Sequence, residues 1–255
     1  MRWKALLLDV DGTLCFRGRL IPGADGALAE FRRRGLLLRF TTNIDSRPPE
    51  SVAAHLTAMG LDVRPEEVFS PPLVALRLMQ ADPGKRWHCL VTPELQAYFG
   101  RSGAGDGRVD CVLLGYCPHV DYRMLNEAFR HILAGAELVV LQKGRYFFTP
   151  EGINLDTGAL AALLEYACGI EARVLGKPSR EFFVQCLADL GMDPQDVAVV
   201  GDDPASDVAG ARAVGAYAVQ VRTGKGSLPH PERGEGQLPA ADLTIDSVAD
   251  LLEWL

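Results

Sequence analysis

The amino-acid sequence predicts an α/β fold, in which a parallel-sheet core carries an inserted second α/β domain. Short apolar runs alternate with helical patterns along most of the chain, and this alternation is typical of parallel strands joined by helical crossovers. The same alternation returns towards the end of the chain, so both ends are expected to contribute strands to one sheet. The length of 255 residues is enough for one large domain or two modest ones.

The two ends of the chain supply the predicted core. The N-terminal elements are a strand at 5–10, a helix at 24–34, a strand at 36–42 and a helix at 49–59 that Gly60 closes. The C-terminal elements are a helix at 180–190, a strand at 197–200, a helix at 205–214, a strand at 216–221 and a closing helix near 247–255. The core domain is therefore predicted to comprise residues 1–75 and 175–255.

The middle of the chain has its own strands and helix, which predict an inserted α/β domain at residues 76–174. Its elements are strands at 88–91 and 109–114, a helix at 122–134, and strands at 138–142 and 146–149. The Gly-rich stretch at 100–107 lacks the spacing and the preceding strand of a dinucleotide-binding fingerprint, so it is predicted to be a loop. A second loop is predicted at 222–239.

Acidic residues outnumber basic ones, 33 against 26, and the formal net charge is −7. Nucleic acid and anionic membranes repel an acidic chain, so neither is expected as a partner. The six cysteines form no C-x-x-C pair, and most lie in apolar surroundings, as expected for buried thiols in a reducing compartment. The first apolar run stops at Asp9 and offers no signal-peptide cleavage site, so a cytoplasmic location is expected.

The strongest functional signal lies where the first predicted strand ends, in the segment DVDGT at residues 9–13. On extended backbone Asp9 and Asp11 point the same way, and Gly12 permits a sharp turn directly after them. Ligands of open α/β sheets bind at the carboxyl ends of strands, and two carboxylates there favour a cation or a shared proton. An EF-hand is excluded, because Gly12 stands at the fourth position of such a loop and Leu20 replaces its final Glu.

Three further segments place polar groups at the ends of strands or before a helix. They are TTN at residues 41–43, GKP at 176–178 and GDDPASD at 201–207. Hydroxyl and amide groups suit hydrogen bonds to a tetrahedral anion, a lysine adds positive charge, and the last segment is a second acidic strand end. A P-loop is excluded, since Pro178 follows Lys177 where Ser or Thr is required.

In this order, the four segments resemble the motifs of the haloacid dehalogenase superfamily of phosphatases, and the resemblance covers essentially the whole chain. The long insertion between TTN and GKP resembles the large α/β cap of the NagD-like subclass, subclass IIA. Within it, the segments ALLEYACGIEARVLGKPSREFF, GDDPASDVAGA and VRTGK are most similar to the phospholysine phosphohistidine inorganic pyrophosphate phosphatase group. The resemblance implies a Rossmann-like core with an inserted cap that closes over the site and recognises the leaving group.

The resemblance also implies a Mg²⁺-dependent phosphatase of small phosphorylated metabolites that works through an aspartyl-phosphate. Asp9 is the implied nucleophile, and Asp11 is the implied acid of the first step and base of the second. The implied Mg²⁺ ligands are the Asp9 carboxylate, the Asp11 backbone carbonyl and Asp202. Asp203 follows at once and is expected to point away from the site.

The remaining implied roles concern the phosphoryl group. Thr42, Asn43 and Lys177 are expected to bind its oxygens as charge shifts during transfer. Asp207 is expected to support the site by orienting Lys177 or a metal-bound water. A homodimer formed through the cap is one assembly that we consider.

Two other functions stay open at this point, a phosphomutase and a non-catalytic metal-binding regulator that acts through the cap. A dehalogenase is disfavoured, because displacement of halide does not need the acid that Asp11 supplies. Two segments depart from the family pattern: Ile44 and Asp45 follow TTN where many relatives have a small polar residue, and residues 155–158 lack the usual Pro-Gly. The physiological substrate is left open among phosphoamino acids, pyrophosphate, pyridoxal phosphate, and sugar or glycerol phosphates.

Overall fold

The structure, a computed structural model, describes residues 2–100, 107–149, 152–224 and 238–255. The chain forms two compact units. The first comprises Met1–Thr42, Pro49–Phe69 and Lys177–Leu255, and the second comprises Asn43–Pro48 and Ser70–Gly176. Residues 101–106 and 225–237 of the two predicted loops lie outside the described residues.

The elements are numbered in chain order. The strands are β1 Ala5–Asp9, β2 Cys15–Phe16, β3 Arg19–Leu20, β4 Leu37–Thr41, β5 Val68–Phe69, β6 Trp87–Leu90, β7 Cys111–Leu114, β8 Glu137–Val140, β9 Tyr146–Thr149, β10 Gly152–Leu155, β11 Arg173–Val174, β12 Val197–Gly201, β13 Tyr217–Val221 and β14 Leu243–Ile245. The α-helices are α1 Ala24–Arg33, α2 Pro49–Ala58, α3 Pro71–Ala81, α4 Pro93–Phe99, α5 Tyr122–Leu133, α6 Thr157–Cys168, α7 Arg180–Leu190 and α8 Ala209–Val214.

The first unit is built on a parallel sheet with the strand order β14-β13-β12-β1-β4-β5. The central strand β1 is buried at every residue, and its continuous apolar run is typical of a strand covered on both faces. Ala5 pairs with Leu37 of β4 on one side and with Val197 of β12 on the other. The prediction that the two ends of the chain share one sheet is therefore confirmed.

Helix α7 is fixed at both ends and along its buried face. The Ser179 side chain accepts a hydrogen bond from the Phe182 amide, 3.2 Å, and the left-handed Gly191, with φ 63°, ends the helix. Phe182 packs edge-on against Phe69 of β5, with ring centroids 5.1 Å apart. The packing anchors the helix that directly follows the GKP segment.

The second unit has a parallel sheet of its own with the strand order β11-β8-β7-β6, and β9 and β10 form an antiparallel hairpin. Helices α5 and α6 contribute to one apolar core with the sheet, made by Leu90, Val112, Leu114, Ala128, Ile132, Leu138, Val140, Ala161 and Leu164 among others. The domain predicted at 76–174 falls within this unit, and its first boundary falls inside α3. The role of the unit as a cap stays a prediction.

Two predicted helices differ in type from ordinary α-helices. The segment predicted at 205–214 begins as a π-helical turn, Pro204–Val208, that runs into α8, and the closing segment Val248–Trp254 is a 3-10 helix. All six cysteines are free, and Cys15, Cys111, Cys117 and Cys186 are buried. Among the helices that the structure describes, none combines the length and apolar character needed to cross a bilayer.

Candidate active site

Asp9 is the last residue of β1 and is buried, with both carboxylate oxygens in hydrogen bonds. The Thr13 hydroxyl donates to Oδ2, 3.1 Å, and the Lys177 ammonium donates to Oδ1, 2.5 Å. Strand β1 lies between β4 and β12, which fixes the backbone of Asp9. The Thr13 and Lys177 donors fix the rotation of its carboxylate. A buried carboxylate is thus held in one orientation at the carboxyl end of the central strand.

The turn after Asp9 depends on Gly12, whose φ of 101° lies in the region that favours glycine. The Gly12 amide donates to the Cys15 carbonyl, 2.6 Å, and the Thr223 hydroxyl donates to the Gly12 carbonyl, 2.6 Å. A Cβ on Gly12 would overlap the Asp202 carboxylate. Gly12 therefore serves two purposes, since it allows the turn and lets two acidic strand ends approach each other. Asp11, in this turn, is exposed.

The end of β4 brings hydroxyl groups to the same edge of the sheet. Thr41 and Thr42 are buried, and the Thr42 amide donates to the Phe69 carbonyl, 3.2 Å. Within the described part of the chain, the Thr41 hydroxyl is buried without a hydrogen-bond partner. Asn43 follows Thr42 directly in sequence and belongs to the second unit.

Lys177 is buried and joins two carboxylates. Its ammonium contacts Asp9 Oδ1 at 2.5 Å and Asp207 Oδ1 at 2.6 Å, with the Thr41 carbonyl 3.4 Å away. Burial alone would lower the pKa of Lys177, but the charges of Asp207 and Asp9 outweigh it and raise that pKa above its usual value. Burial raises the pKa of Asp207, and the Lys177 charge opposes this shift. Lys177 is therefore a permanent positive charge beside Asp9, and the predicted support from Asp207 is a direct ion pair.

The end of β12 supplies two further carboxylates, and both are buried. Asp202 lies beside Gly12, whereas Asp203 Oδ1 accepts a hydrogen bond from the Ala205 amide, 3.0 Å, and caps the following helical turn. The expectation that Asp203 points outward is wrong, because it serves as this buried cap. Its backbone amide also donates to Asp207 Oδ2, 3.3 Å.

Three carboxylates lie close enough to one another to be considered as ligands of one metal ion. One oxygen each of Asp9, Asp202 and Asp207 lies within 4.8 Å of the others, and all three side chains are buried. Two of them, Asp9 and Asp207, share one buried ammonium, so a further cation would balance the local charge. Oxygen ligands suit a hard divalent ion such as Mg²⁺. Asp9 and Asp202 of the predicted ligand set fit this site, while Asp207 is engaged by Lys177.

The second unit contains a hydrogen-bonded network around the buried Asp45. The network links the two segments that depart from the family pattern, residues 44–45 and 155–158. Asp45 Oδ2 accepts hydrogen bonds from the Thr157 hydroxyl, 2.6 Å, and the Gln142 amide, 3.4 Å. Gln142 also donates to Asp156 Oδ1, 2.5 Å. Burial raises the pKa of Asp45 to about 7, a shift that the Thr157 hydrogen bond opposes and that the charge of Asp156 reinforces.

Sequence reasoning missed three residues of the candidate site. Thr13 and Thr223 donate hydrogen bonds to Asp9 and Gly12, and Thr41 brings a buried hydroxyl to the end of β4. Thr13 and Thr41 lie in segments that the sequence analysis singled out, so their residue type was a usable signal. Thr223 lies in the VRTGK segment, but it is 211 residues from Gly12, and its contact with Gly12 follows only from the fold.

Comparison with known families gives two matches. Residues 6–104 match the family described as Haloacid dehalogenase-like hydrolase, and residues 174–251 match the HAD-hydrolase-like family. The first match includes the DVDGT and TTN segments, and the second includes GKP and GDDPASD.

Several curated proteins are similar over most of the chain. One is the phospholysine phosphohistidine inorganic pyrophosphate phosphatase of Danio rerio, 39% identical over 230 residues, which covers 87% of this chain and 84% of the relative. Another is the haloacid dehalogenase-like hydrolase domain-containing protein 2 of Homo sapiens, 33% identical over 223 residues, which covers 87% of this chain and 85% of that protein.

Solved structures share the fold. The p-nitrophenyl phosphatase of Archaeoglobus fulgidus superposes with a TM-score of 0.89 at 24% identity and covers 100% of both chains, a likeness of fold. A glycerol phosphate phosphatase of Mycobacterium tuberculosis, in complex with magnesium, has a TM-score of 0.80 at 30% identity and covers 88% of this chain and 68% of the other.

Proposed function

The chain belongs to the haloacid dehalogenase-like hydrolase family and is a phosphatase, and on this premise we propose that it hydrolyses small phosphorylated metabolites through an aspartyl-phosphate on Asp9. The family was predicted from four sequence segments and its subclass, IIA, from the long insertion between TTN and GKP. Both are confirmed by the two family matches, by relatives such as one 39% identical, and by a structural neighbour described as a putative nagD protein. The intermediate, the metal and the residue roles are our proposals.

The observation that carries the mechanism is the held carboxylate of Asp9. A nucleophile must present one oxygen to phosphorus without rotating away, and the hydrogen bonds from Thr13 and Lys177 restrain that rotation. The Lys177 ammonium, 2.5 Å away, favours the ionised form of Asp9 over the acid. An ionised, oriented and buried carboxylate is the form required for in-line attack.

We assign the proton transfers to Asp11. In the first step an oxygen of Asp9 forms a bond to phosphorus while the bond to the leaving group breaks, and Asp11 donates its proton to the leaving oxygen or nitrogen. In the second step Asp11 takes a proton from water, the water oxygen bonds to phosphorus, and the Asp9 carboxylate is released with inorganic phosphate. The exposure of Asp11 suits this role, since it must meet both the leaving group and water.

The phosphoryl oxygens need positive charge and hydrogen-bond donors. Lys177 supplies the charge, and we assign hydrogen bonds to Thr42 and Asn43 at the end of β4. The Thr41 hydroxyl is a further candidate, because it is buried at the same strand end and has no partner within the described chain.

We further propose Mg²⁺ as the cofactor, held by the Asp9 and Asp202 carboxylates and the Asp11 carbonyl. A bound Mg²⁺ lowers the repulsion between an anionic nucleophile and an anionic phosphate. The buried excess of carboxylates over ammonium groups supports this assignment. The glycerol phosphate phosphatase of Mycobacterium tuberculosis, solved in complex with magnesium, supports it as well.

We infer the substrate class from the role of Asp11, the acid that protonates the leaving group, and from the names of the relatives. An acid that protonates oxygen can also protonate nitrogen, so phosphate esters, phosphoamides and pyrophosphate are compatible with the mechanism. Relatives named for phospholysine, phosphohistidine and pyrophosphate support the last two classes. A cytoplasmic location and a homodimer through the second unit stay predictions.

The experiment is a substrate panel measured with the wild type, Asp11→Asn and the exposed control Asp25→Asn. We expect release of inorganic phosphate from p-nitrophenyl phosphate, glycerol phosphate, phospholysine and pyrophosphate to differing extents. Asp11→Asn should lose far more kcat/KM on glycerol phosphate than on p-nitrophenyl phosphate, because nitrophenolate leaves without protonation. The Asp25 control should match the wild type.

Three results would contradict the proposal. Equal losses on both esters would remove Asp11 from the acid role. Conversion of a sugar phosphate into its isomer without phosphate release would identify a phosphomutase. No turnover of any compound by folded, Mg²⁺-loaded protein would favour the non-catalytic regulator.

A further inference from the structure

A cluster of metal-ligand side chains lies in the second unit and has no part in the proposed reaction. It consists of His88 in β6, and Glu127 and His131 in α5. Strand β6 is the edge strand of its sheet, and α5 packs against the same sheet. We call these three residues the β6–α5 cluster.

Local structure explains why the three side chains meet. His88 and Leu90 lie two residues apart on β6 and therefore face the same side of the sheet, where Leu90 joins the apolar core with Ala128. Glu127 and His131 are four residues apart, so they lie one above the other on the helix. Both lie next to core residues of α5, at the rim of the core beside His88.

The geometry suits ligation of one ion. One ligand atom from each of the three side chains lies within 4.8 Å of the other two. The two imidazole rings have centroids 4.9 Å apart and are inclined at 53°. Ligands about 2.0–2.1 Å from one tetrahedral ion lie roughly 3.4 Å apart, so small side-chain rotations would close the site.

The His88 imidazole is partly buried beside the other two side chains of the cluster. Burial lowers the pKa of His88, the nearby Glu127 charge acts in the opposite direction, and His131 lowers it further. Imidazole binds metals in its neutral form. The cluster thus places a partly buried imidazole beside a carboxylate, two of the donor types that zinc accepts.

We propose that the β6–α5 cluster is a zinc site that binds one Zn²⁺ through two imidazole nitrogens and one carboxylate oxygen. This donor set is the one that zinc accepts, whereas Mg²⁺ prefers oxygen ligands only. Three protein ligands leave the fourth position to water. The ion would join the edge strand β6 to helix α5 and stabilise the second unit independently of the proposed phosphatase reaction.

The test measures metal binding, not turnover. Metal-free full-length protein is titrated with Zn²⁺ by calorimetry in the presence of excess Mg²⁺, which occupies the carboxylate site of the first unit. The variants are Glu127→Gln, His131→Asn and the double variant His88→Asn/His131→Asn. His55→Asn is the matched control, because His55 lies in α2 outside the cluster. Co²⁺ serves as a coloured probe of the coordination geometry.

We expect one Zn²⁺ per chain, a higher Tm with Zn²⁺, and the intense visible bands of four-coordinate Co²⁺. His131→Asn should weaken Zn²⁺ binding by more than about tenfold. Loss of a group that merely supports a ligand already costs about tenfold or more in metal affinity, and loss of the ligand itself should cost more. Glu127→Gln alters an exposed side chain, so the fold should survive and the Zn²⁺ affinity should still fall.

Two results would overturn the site. If the wild type does not bind Zn²⁺, the zinc site is refuted. Glu127 and His131 would then be an ordinary side-chain pair on the helix surface. Unchanged affinity in the folded double variant would place any bound zinc elsewhere, for example on cysteines. Neither result bears on the phosphatase reaction, which is measured separately.

Discussion

The two units bury carboxylates in different ways. At the end of β1, Asp9 shares the Lys177 ammonium with Asp207, and a further cation is proposed to balance the remaining charge. In the second unit, Asp45 is buried among neutral donors, Thr157 and Gln142, and burial raises its pKa to about 7. The Lys177 ammonium favours the charged form of the carboxylates beside it, whereas the neutral partners of Asp45 leave the effect of burial dominant.

The largest expected effect concerns Asp9. Asp9→Asn keeps the shape of the side chain but removes the nucleophilic oxygen, and activity should fall by at least about a thousandfold. Circular dichroism should show an unchanged fold. Near-normal turnover by a preparation free of wild-type enzyme would refute the nucleophile assignment.

Removing the ammonium should destabilise the first unit. Lys177→Met leaves two buried carboxylates without their counter-charge, and we expect a loss of about 3–5 kcal/mol in the free energy of unfolding, measured with denaturant. Lys143→Met removes the exposed pair with Glu165 and should cost no more than about 1 kcal/mol. The double variant Lys177→Met/Asp207→Asn should recover part of the loss. Equal effects of Lys177→Met and Lys143→Met would show that the buried charge balance is unimportant.

The Asp45 network should make stability depend on pH. An unfolded aspartate has a pKa of about 3.9, while the pKa of folded Asp45 is about 7, so the unfolded chain loses this proton first as the pH rises. Stability should therefore fall between about pH 4 and pH 7 and level off above, with a contribution on the order of 2–4 kcal/mol. Asp45→Asn should lack this contribution, so the difference in the free energy of unfolding between wild type and variant should fall between about pH 4 and pH 7. A difference that does not change with pH would mean that Asp45 titrates normally.

The smallest effect separates two adjacent acids. Asp202→Asn should raise the Mg²⁺ concentration for half-maximal activity by about tenfold or more, since it replaces a charged ligand. Asp203→Asn should shift it far less, because Asn also caps a helix and can accept the Ala205 hydrogen bond. A larger shift for Asp203→Asn in the same metal titration would reverse the two assignments.

The strand-end chemistry could be predicted from sequence because it is local. The apolar run into Asp9, the Gly12 turn and the alternation of strands and helices are all patterns within a few residues. The same is true of Asp202, which directly follows β12. The fold then brings these ends together by the general rule for parallel sheets.

Other features could not be predicted, because they depend on long-range contacts. Asp45 is 112 residues from Thr157, and no local pattern links them. Asp203 was expected to point outward on extended backbone, but the chain turns into a helix that needs a cap. Helix α3 was missed because it begins with Pro71 and Pro72, residues that usually mark loops yet are accepted in the first turn of a helix.

The central claim is that Asp9 carries the phosphoryl group during turnover. The most direct test quenches the reaction within the first turnover, reduces acyl phosphates with borohydride and locates the reduced residue by mass spectrometry. We predict reduction at Asp9 in the wild type with substrate, and none without substrate or in Asp9→Asn. Reduction at another carboxylate, or none at Asp9 while phosphate is released at the normal rate, would contradict the account.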